Sequence, residues 1–103
     1  MVKRGEIWWY EPPDAKPRPH LILTRDAVIP VLSDVLSVPA TRTQRGIATE
    51  VGLDRDDGMP KECVLTADNV TLITKAYLTT RVTVLNPERM SAVCKALVIA
   101  TGC

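Results

Sequence analysis

The residue with the clearest chemical potential in this sequence is an arginine held between two prolines. Pro17 and Pro19 restrict the backbone around Arg18, and the Arg18 guanidinium offers a planar fork of donors that matches phosphate oxygens. His20, the only histidine, follows two residues later, and an imidazole with a free pKa of about 6.5 suits proton transfer. A strand here places Arg18, His20 and Ile22 on one face. His20 is thus a candidate accessory residue, although a buried structural histidine is the simpler interpretation.

A second polar group follows the predicted strand that contains Pro39. Thr41 stands at the edge of that strand, and Arg42 and Arg45 continue it as a basic turn. Arginines in a turn can extend a positive surface toward a polyanion, or they can simply be solvated. Glu11, in the first loop, is a weaker candidate for a general base and is equally consistent with a solvated carboxylate. Spacing alone does not assign a function to these residues, because arginine and threonine are common at strand edges.

Length and composition favour one folded unit over residues 1–103. Hydrophobic residues form 46% of the chain, and 13 Lys and Arg oppose 12 Asp and Glu, which gives a net charge of +1. This balance excludes a strongly basic tail and is compatible with a locally basic groove. The three cysteines and one histidine lack zinc-site spacing, so we expect no metal and no cofactor. Without a signal-like segment or an apolar run of roughly 20 residues, we expect a soluble cytoplasmic protein and no membrane partner.

Short runs of strand-forming residues, separated by turns rich in Pro, Gly and Asp, predict seven strands. They span residues 6–10, 20–24, 35–40, 47–53, 62–66, 70–74 and 80–85. Trp8 and Trp9 point to opposite faces of the first strand, so one of them is expected in the core. The pattern predicts a mainly β protein with a small, strongly bent antiparallel sheet or a partly open barrel.

The C-terminal segment changes to helical spacing. Asn86 is a good N-cap, Pro87 suits the first helical position and Gly102 suits a C-terminal stop. The apolar stripe expected to pack on the sheet comprises Met90, Val93, Cys94, Leu97, Val98 and Thr101.

The order of several motifs resembles that of the MazF/PemK-type toxins, the toxin halves of bacterial toxin–antitoxin pairs. The runs Lys3-Arg4-Gly5-Glu6-Ile7-Trp8-Trp9 and Lys16-Pro17-Arg18-Pro19 are similar to the family's opening strand and to its Arg-Pro entry into an aliphatic strand. The run Ser37-Val38-Pro39-Ala40-Thr41 is similar to a family strand that ends in threonine, and residues 62–70 are similar to a segment that usually reads acid-Gln-aliphatic. Each motif alone is weak, but the ordered set covers nearly the whole chain.

This resemblance implies an SH3-like barrel of short antiparallel strands with a C-terminal α-helix (the MazF, Kid and CcdB type), assembled as a homodimer. It also implies a metal-independent endoribonuclease that cuts single-stranded RNA at short specific sequences and is inhibited by a cognate MazE-like antitoxin. In that reaction the RNA 2′-hydroxyl attacks the adjacent phosphorus, and the expected catalytic residues are Arg18 and Thr41. Arg18 stabilises the charge that develops on the phosphoryl oxygens, and the Thr41 hydroxyl donates to the same phosphate.

The departures from the family pattern bear on RNA binding. The loop before Arg18 is short and rich in proline, and Asn69 stands where the family usually has Gln. Arg42, Arg45 and Asn69 are the expected RNA-binding residues, although Asn69 is equally suited to capping a turn. An alternative function on the same barrel is that of the CcdB-like toxins, which bind DNA gyrase. The pairing of Arg18 with Thr41 favours the nuclease, because gyrase binding needs no such phosphate site.

Overall fold

The computed structural model describes the whole chain, from Met1 to Cys103. Seven strands and one α-helix follow in the order β1 (Glu6–Tyr10), β2 (Arg18–Ile22), β3 (Asp34–Thr41), β4 (Glu50–Leu53), β5 (Cys63–Thr66), β6 (Thr71–Thr74), β7 (Leu78–Val84) and α1 (Pro87–Thr101). All strand pairings are antiparallel, in the order β4-β5-β3-β2-β1-β7, and β6 pairs with the first half of β3. The prediction of a mainly β protein with a C-terminal helix is confirmed.

The longest strand, β3, changes partners along its length. Along one edge it pairs with β2 over residues 37–39. Along the other edge it pairs first with β6, over residues 34–37, and then with β5, at Ala40 and Thr41. A strand that leaves one partner for another in this way curls the sheet around a core, as in a partly open barrel. The end of β3 therefore lies at the junction between the β1–β2 pair and the β4–β5 pair.

Alternation along β2 divides its apolar side chains between two clusters. Leu21 belongs to the larger cluster, which also contains Ile7, Val38, Leu65 and, from α1, Val93. Ile22 belongs to a smaller cluster with Ile29, Val35 and Ile73, against which Trp8 and Tyr10 pack. Both sides of β2 are thus anchored, which fixes the position of its first residue at the end of the barrel.

Helix α1 begins and ends where the sequence predicts. The Asn86 side chain accepts the backbone N–H of Arg89 at 2.8 Å, and Gly102 ends the helix with a left-handed φ of 74°. The packing face contains Val93 and Ala96, both buried, with Met90, Leu97 and Ala100 partly buried. No helix has both the length and the apolar character that a membrane crossing requires.

The predicted packing stripe of α1 is wrong at three positions. Cys94, Val98 and Thr101 are exposed to solvent, whereas Ala96 and Ala100 face the sheet in their place. The helix is apolar around most of its circumference, so hydrophobic spacing does not single out one face. The small alanine side chains let the helix backbone approach the sheet closely, and the sheet surface therefore selects the alanine-bearing face.

The strand boundaries from β2 to β7 differ from the sequence prediction by one to three residues at one or both ends of each strand, and the starts of β2 and β4 show why. Strand β2 begins at Arg18, two residues earlier than expected, because Arg18 pairs with Tyr10 of β1. Strand β4 begins only at Glu50, three residues later than expected. The Glu50 carboxylate accepts the backbone N–H groups of Arg45 and Gly46 at 2.9–3.1 Å, and these hydrogen bonds hold residues 45–49 outside the strand.

A buried carboxylate ties the start of β1 to the edge strand β7. The Glu6 carboxylate accepts the backbone N–H of Lys3 at 2.7 Å, the indole N–H of Trp8 at 3.0 Å and the guanidinium of Arg81 at 3.2 Å. Burial by itself raises the pKa of Glu6, but these hydrogen bonds and the charge of Arg81 outweigh it, so the pKa is lowered. Glu6 is therefore held in its ionised form.

Candidate active site

Arg18 and Thr41 lie at the same end of two neighbouring strands. Arg18 is the first residue of β2 and Thr41 is the last residue of β3. The two strands are antiparallel, and His20 pairs with Pro39. Arg18 lies two residues before His20, and Thr41 lies two residues after Pro39. Because the strands are antiparallel, these two steps go in the same direction in space, so Arg18 and Thr41 lie opposite each other. Two residues that are distant in sequence are thus brought together by the register of the sheet.

Both residues line a cleft of about 570 Å³ at this end of the barrel. The cleft is formed by Trp9 of β1, residues 17–19 at the start of β2, residues 40–43 at the end of β3, and residues 59–63 before and at the start of β5. Its lining includes three cations, Arg18, Arg42 and Lys61, and one carboxylate, Glu62. The net charge of the lining is therefore positive, although the whole chain is nearly neutral. A locally basic groove of this kind is compatible with the charge balance of the sequence.

The Arg18 side chain is free to meet a ligand. Arg18 is exposed, and the two ion pairs of the structure are formed by other arginines, Arg81 with Glu6 and Arg89 with Asp57. Arg18 therefore does not serve as the partner of a structural carboxylate. An exposed, unpaired guanidinium in a basic cleft is suited to bind a phosphate through two parallel hydrogen bonds.

The Thr41 hydroxyl is oriented by its own turn. Its oxygen accepts the backbone N–H of Thr43 at 3.3 Å. A hydroxyl has one hydrogen to donate in addition to its acceptor sites, so this contact leaves the O–H of Thr41 available to a ligand. The same arrangement begins the turn that carries Arg42 into the cleft.

The two adjacent tryptophans have separate roles. Trp8 packs against the smaller apolar cluster and donates its indole N–H to Glu6, so it is a structural residue. Trp9 points to the other face of β1, is half-buried, and lines the cleft with Arg18 and Thr41. Trp8, also half-buried, is thus the tryptophan that packs against the core, and Trp9 places an aromatic ring beside the candidate phosphate site.

His20 lies inside the protein and does not line the cleft. It is 6% exposed, its Nδ1 is 2.9 Å from the Ser37 hydroxyl, and its ring makes an edge contact with Tyr10 at 5.0 Å. Burial, together with the positive charge of Arg18, lowers the pKa of His20 from 6.5 to about 4. His20 is therefore a neutral, buried histidine. Its side chain lies outside the cleft lining, so the structure does not place it as an accessory residue beside Arg18 and Thr41.

Three other residues singled out from the sequence lie outside the cleft lining. The Glu11 carboxylate accepts the hydroxyl of Thr79, on the side of β7. Arg45 is exposed on the turn after Arg42, and the carboxylate of Glu50 binds its backbone. Asn69 is exposed at the end of a single 3₁₀ turn, Ala67–Asn69, that contacts α1. Of the three expected RNA-binding residues, the structure brings only Arg42 to the cleft with Arg18 and Thr41.

The segment of residues 59–63 contributes the side of the cleft that sequence reasoning missed. Met59 and Cys63 are buried at its base, while Lys61 and Glu62 are exposed. Burial, with a contribution from Asp57, raises the pKa of the Cys63 thiol, so it stays protonated and is not a nucleophile at neutral pH. A prediction that β3 and β5 are neighbouring strands would have found this segment. Thr41 pairs with Val64, and residues 59–63 come just before Val64, so they lie beside Thr41.

The chain is similar throughout its length to one protein family. The model of the PemK-like, MazF-like toxins of type II toxin–antitoxin systems matches residues 3–101. We conclude that the chain belongs to this family. Two relatives from Mycobacterium tuberculosis are named probable endoribonucleases, MazF5 and MazF2. MazF5 is 41% identical over 100% of this chain and 95% of its own length. MazF2 is 36% identical over 99% of this chain and 100% of its own length.

Solved structures confirm the fold. A mycobacterial endoribonuclease in complex with its cognate antitoxin aligns with a TM-score of 0.88 and 26% identity, over 99% of this chain and 96% of that one. The M. tuberculosis toxin MazF-mt6 aligns with a TM-score of 0.86 and 34% identity, over 94% and 96% of the two chains. The family, the relatives' names and these structures support the nuclease over the gyrase-binding alternative.

Proposed function

We propose that this chain is the toxin of a toxin–antitoxin pair and acts as a sequence-specific endoribonuclease on single-stranded RNA. The observation that carries the proposal is that Arg18 and Thr41 line one basic cleft in a member of this toxin family. The relatives named probable endoribonucleases support the reaction class. Cleavage of RNA in a bacterial cell stops translation, which accounts for toxicity and assigns the protein to the cytoplasm.

The proposed reaction uses the substrate's own nucleophile and needs no metal. The 2′-hydroxyl attacks the adjacent phosphorus and passes its proton to solvent, a bond forms to the 2′-oxygen, and the bond to the 5′-oxygen breaks. The leaving oxygen takes a proton from water, so the products carry a 2′,3′-cyclic phosphate and a 5′-hydroxyl. Negative charge builds on the non-bridging oxygens, where the Arg18 guanidinium and the Thr41 hydroxyl donate hydrogen bonds.

Single-stranded RNA is recognised through its phosphates and through unstacked bases. In the proposed complex Arg42 and Lys61 neutralise phosphates on either side of the scissile one. The half-buried ring of Trp9 provides a surface on which a base stacks. Arg45 and Asn69 lie outside the cleft, so a contribution from them is limited to RNA that extends beyond it.

We further propose a cognate MazE-like antitoxin and a homodimer as the partners of the chain. The structure of a mycobacterial endoribonuclease with its cognate antitoxin supports the first of these. A basic cleft that binds RNA also suits an acidic, extended antitoxin segment, because both ligands bring negative charge. Covering the cleft with that segment excludes RNA from Arg18 and Thr41.

The proposed function is tested by incubating the purified protein in EDTA with a long single-stranded RNA. A second RNA carries a 2′-deoxy sugar at each mapped cut site, and the matched protein variants are Arg18→Ala and Arg25→Ala, since Arg25 is exposed and outside the cleft. The wild type and Arg25→Ala cut the first RNA and spare the second, whereas Arg18→Ala cuts the first RNA at least about 10²-fold more slowly and spares the second. Survival of RNAs of varied sequence with the wild type contradicts the proposal, as does cutting at the deoxy positions.

A further inference from the structure

The structure assigns Glu62 as the residue that selects a guanine beside the cut site. This inference rests on the proposed endoribonuclease function and deepens it. Glu62 is the one carboxylate in the lining of the cleft, among the cations Arg18, Arg42 and Lys61. An acidic side chain repels phosphate, so in a phosphate-binding cleft it needs a ligand group that donates hydrogen bonds. RNA offers such groups on its bases.

The Glu62 side chain has no competing partner. It is exposed, and neither of the two ion pairs of the structure involves it. The cation nearest in sequence, Lys61, is exposed and also unpaired. The carboxylate is therefore available to a ligand without breaking a bond within the protein.

The register of β3 and β5 places Glu62 one step away from the candidate phosphate site. Thr41 pairs with Val64, and Glu62 precedes Val64 by two residues, just before β5 begins, so an extended chain there places it about 7 Å farther along the strand direction. A general base has to approach the reacting hydroxyl to within roughly 3 Å. The displacement of Glu62 suits contact with a neighbouring base rather than with the reacting atoms.

Glu62 also borders a second depression of about 330 Å³ that adjoins the cleft. Glu62 and Cys63 line both spaces, and the second one contains Gln44, Gly52, Asp54 and Arg89 but neither Arg18 nor Thr41. A base displaced from the strand that runs through the cleft has room to enter this depression. Glu62 stands at the entrance between the phosphate site and the space for the base.

The chemistry of a carboxylate favours guanine over the other bases. An ionised carboxylate only accepts hydrogen bonds, through two parallel oxygens. The Watson–Crick edge of guanine presents two adjacent donors, N1–H and the 2-amino group, whereas adenine, cytosine and uracil each present one donor beside an acceptor. A bidentate contact of this kind typically changes discrimination between bases by about 10-fold to 100-fold.

The test maps the cut sites of the wild type, Glu62→Gln and a control, Glu88→Gln, in the same long RNA. Glu88 is exposed in the first turn of α1 and outside the cleft. The inference predicts a guanine within two nucleotides of the cut for the wild type and the control, and a loss of that preference of at least 10-fold in Glu62→Gln. Replacing that guanine with inosine, which lacks the 2-amino group, slows the wild type about 10-fold and leaves Glu62→Gln unchanged.

Three results overturn the inference. The first is a set of wild-type cut sites without an enriched guanine, and the second is a guanine preference that persists in Glu62→Gln. The third is an equal slowing of Glu62→Gln at all sites, with loss of the acidic limb of its pH–rate profile. That result would make Glu62 a general base. Binding of a guanine-rich single-stranded RNA, and of the same RNA with inosine in place of guanine, to the wild type and Glu62→Gln gives a readout that needs no cut site. If no RNA is cut but the wild type prefers the guanine RNA and Glu62→Gln does not, the proposed function fails and guanine recognition by Glu62 stands. If binding also lacks the discrimination, both fail.

Discussion

Arg18 opens strand β2 and Thr41 closes strand β3, and the antiparallel register of the two strands brings both to one cleft. The arrangement depends on the anchoring of both faces of β2, with Leu21 in one apolar cluster and Ile22 in the other. The backbone positions of both residues are therefore fixed by the core of the barrel rather than by a mobile loop. Donors that start from fixed backbone positions need less reorganisation to stabilise developing charge during the reaction.

The Thr41 hydroxyl is expected to be essential for rate. Thr41→Val keeps the shape of the side chain but removes the donor, and we expect cleavage to slow by about 10²–10³-fold because one hydrogen bond to the developing charge is lost. Thr41→Ser restores most of the rate. Thr80→Val, at an exposed position of β7 outside the cleft, is the control. Rate constants from single-turnover cleavage of a defined oligonucleotide provide the measurement, and a Thr41→Val rate equal to that of the control contradicts the role.

His20 is expected to make stability depend on pH above the range where carboxylates titrate. The folded-state pKa of about 4 lies below the ordinary value of 6.5, so the folded protein binds this proton less readily than the unfolded chain. The contribution is complete above pH 6.5 and is lost as the pH falls toward 4. Between pH 7.5 and pH 5, we expect the free energy of unfolding to decrease by about 2 kcal/mol from this residue.

Urea unfolding of the wild type and His20→Asn at these two pH values checks the expectation. The lowered pKa values of Glu6 and Asp57 start from 4.5 and 3.8, so their contributions are lost only at lower pH. The variant is less stable at both values because the contact with Ser37 changes, but its stability changes much less between them. An equal pH dependence in the two proteins is the result that rules out His20 as its source.

The ion pair between Glu6 and Arg81 is expected to respond very unequally to removal of its two partners. The Arg81 side chain is 58% exposed and the Glu6 side chain 7%. Arg81→Ala leaves Glu6 with the hydrogen bonds from Lys3 and Trp8, and we expect a loss of about 1 kcal/mol or less. Glu6→Ala leaves the partly buried indole N–H of Trp8 and the backbone N–H of Lys3 without their acceptor, and we expect a loss of about 2–3 kcal/mol. Denaturant titrations of the two variants measure the difference, and equal losses contradict this account of Glu6.

Gly58 is expected to be the least replaceable glycine of the chain. Its φ is 91°, and a Cβ added there lies 2.2 Å from the Thr83 hydroxyl oxygen and 2.8 Å from the Thr83 Cβ. Gly46 also has a left-handed φ, 69°, but nothing lies within 4 Å of an added Cβ. We expect Gly58→Ala to lower the free energy of unfolding by more than about 2 kcal/mol and Gly46→Ala by about 1 kcal/mol. Thermal unfolding of both variants tests this, since similar losses would show that the contact with Thr83 is unimportant.

The sequence allowed the fold class and the placement of Arg18 near Thr41 to be predicted because each rests on a local or ordered signal. Asn86, Pro87 and Gly102 mark the ends of α1 by their own backbone chemistry. Arg18 and Thr41 are 23 positions apart, and residue spacing alone does not indicate that they are neighbours. Their proximity was predictable only from the ordered resemblance to the toxin family.

The remaining features depend on pairings and packing that the sequence pattern does not encode. Lys61 and Glu62 belong to the cleft because β5 pairs with β3 at Thr41, and nothing in their local pattern indicates that pairing. Trp9 lies there because it pairs with Pro19 of β2, beside Arg18. Asn69, an expected RNA-binding residue, is exposed on a 3₁₀ turn outside the cleft lining, next to the helix. The packing face of α1 was assigned by hydrophobicity, whereas the fit of small alanines to the sheet determines it.

The central claim is that Arg18 and Thr41 act on one phosphate, and a double-mutant cycle tests it most directly. Single-turnover cleavage rates are measured in EDTA for the wild type, Arg18→Ala, Thr41→Val and the double variant. Because groups that act as a unit are not additive, we predict that the double variant is slowed by only about as much as the slower single variant. Rate losses that multiply, to about 10⁴–10⁶-fold for two losses of the usual size, would contradict the claim that the two side chains share a single phosphate.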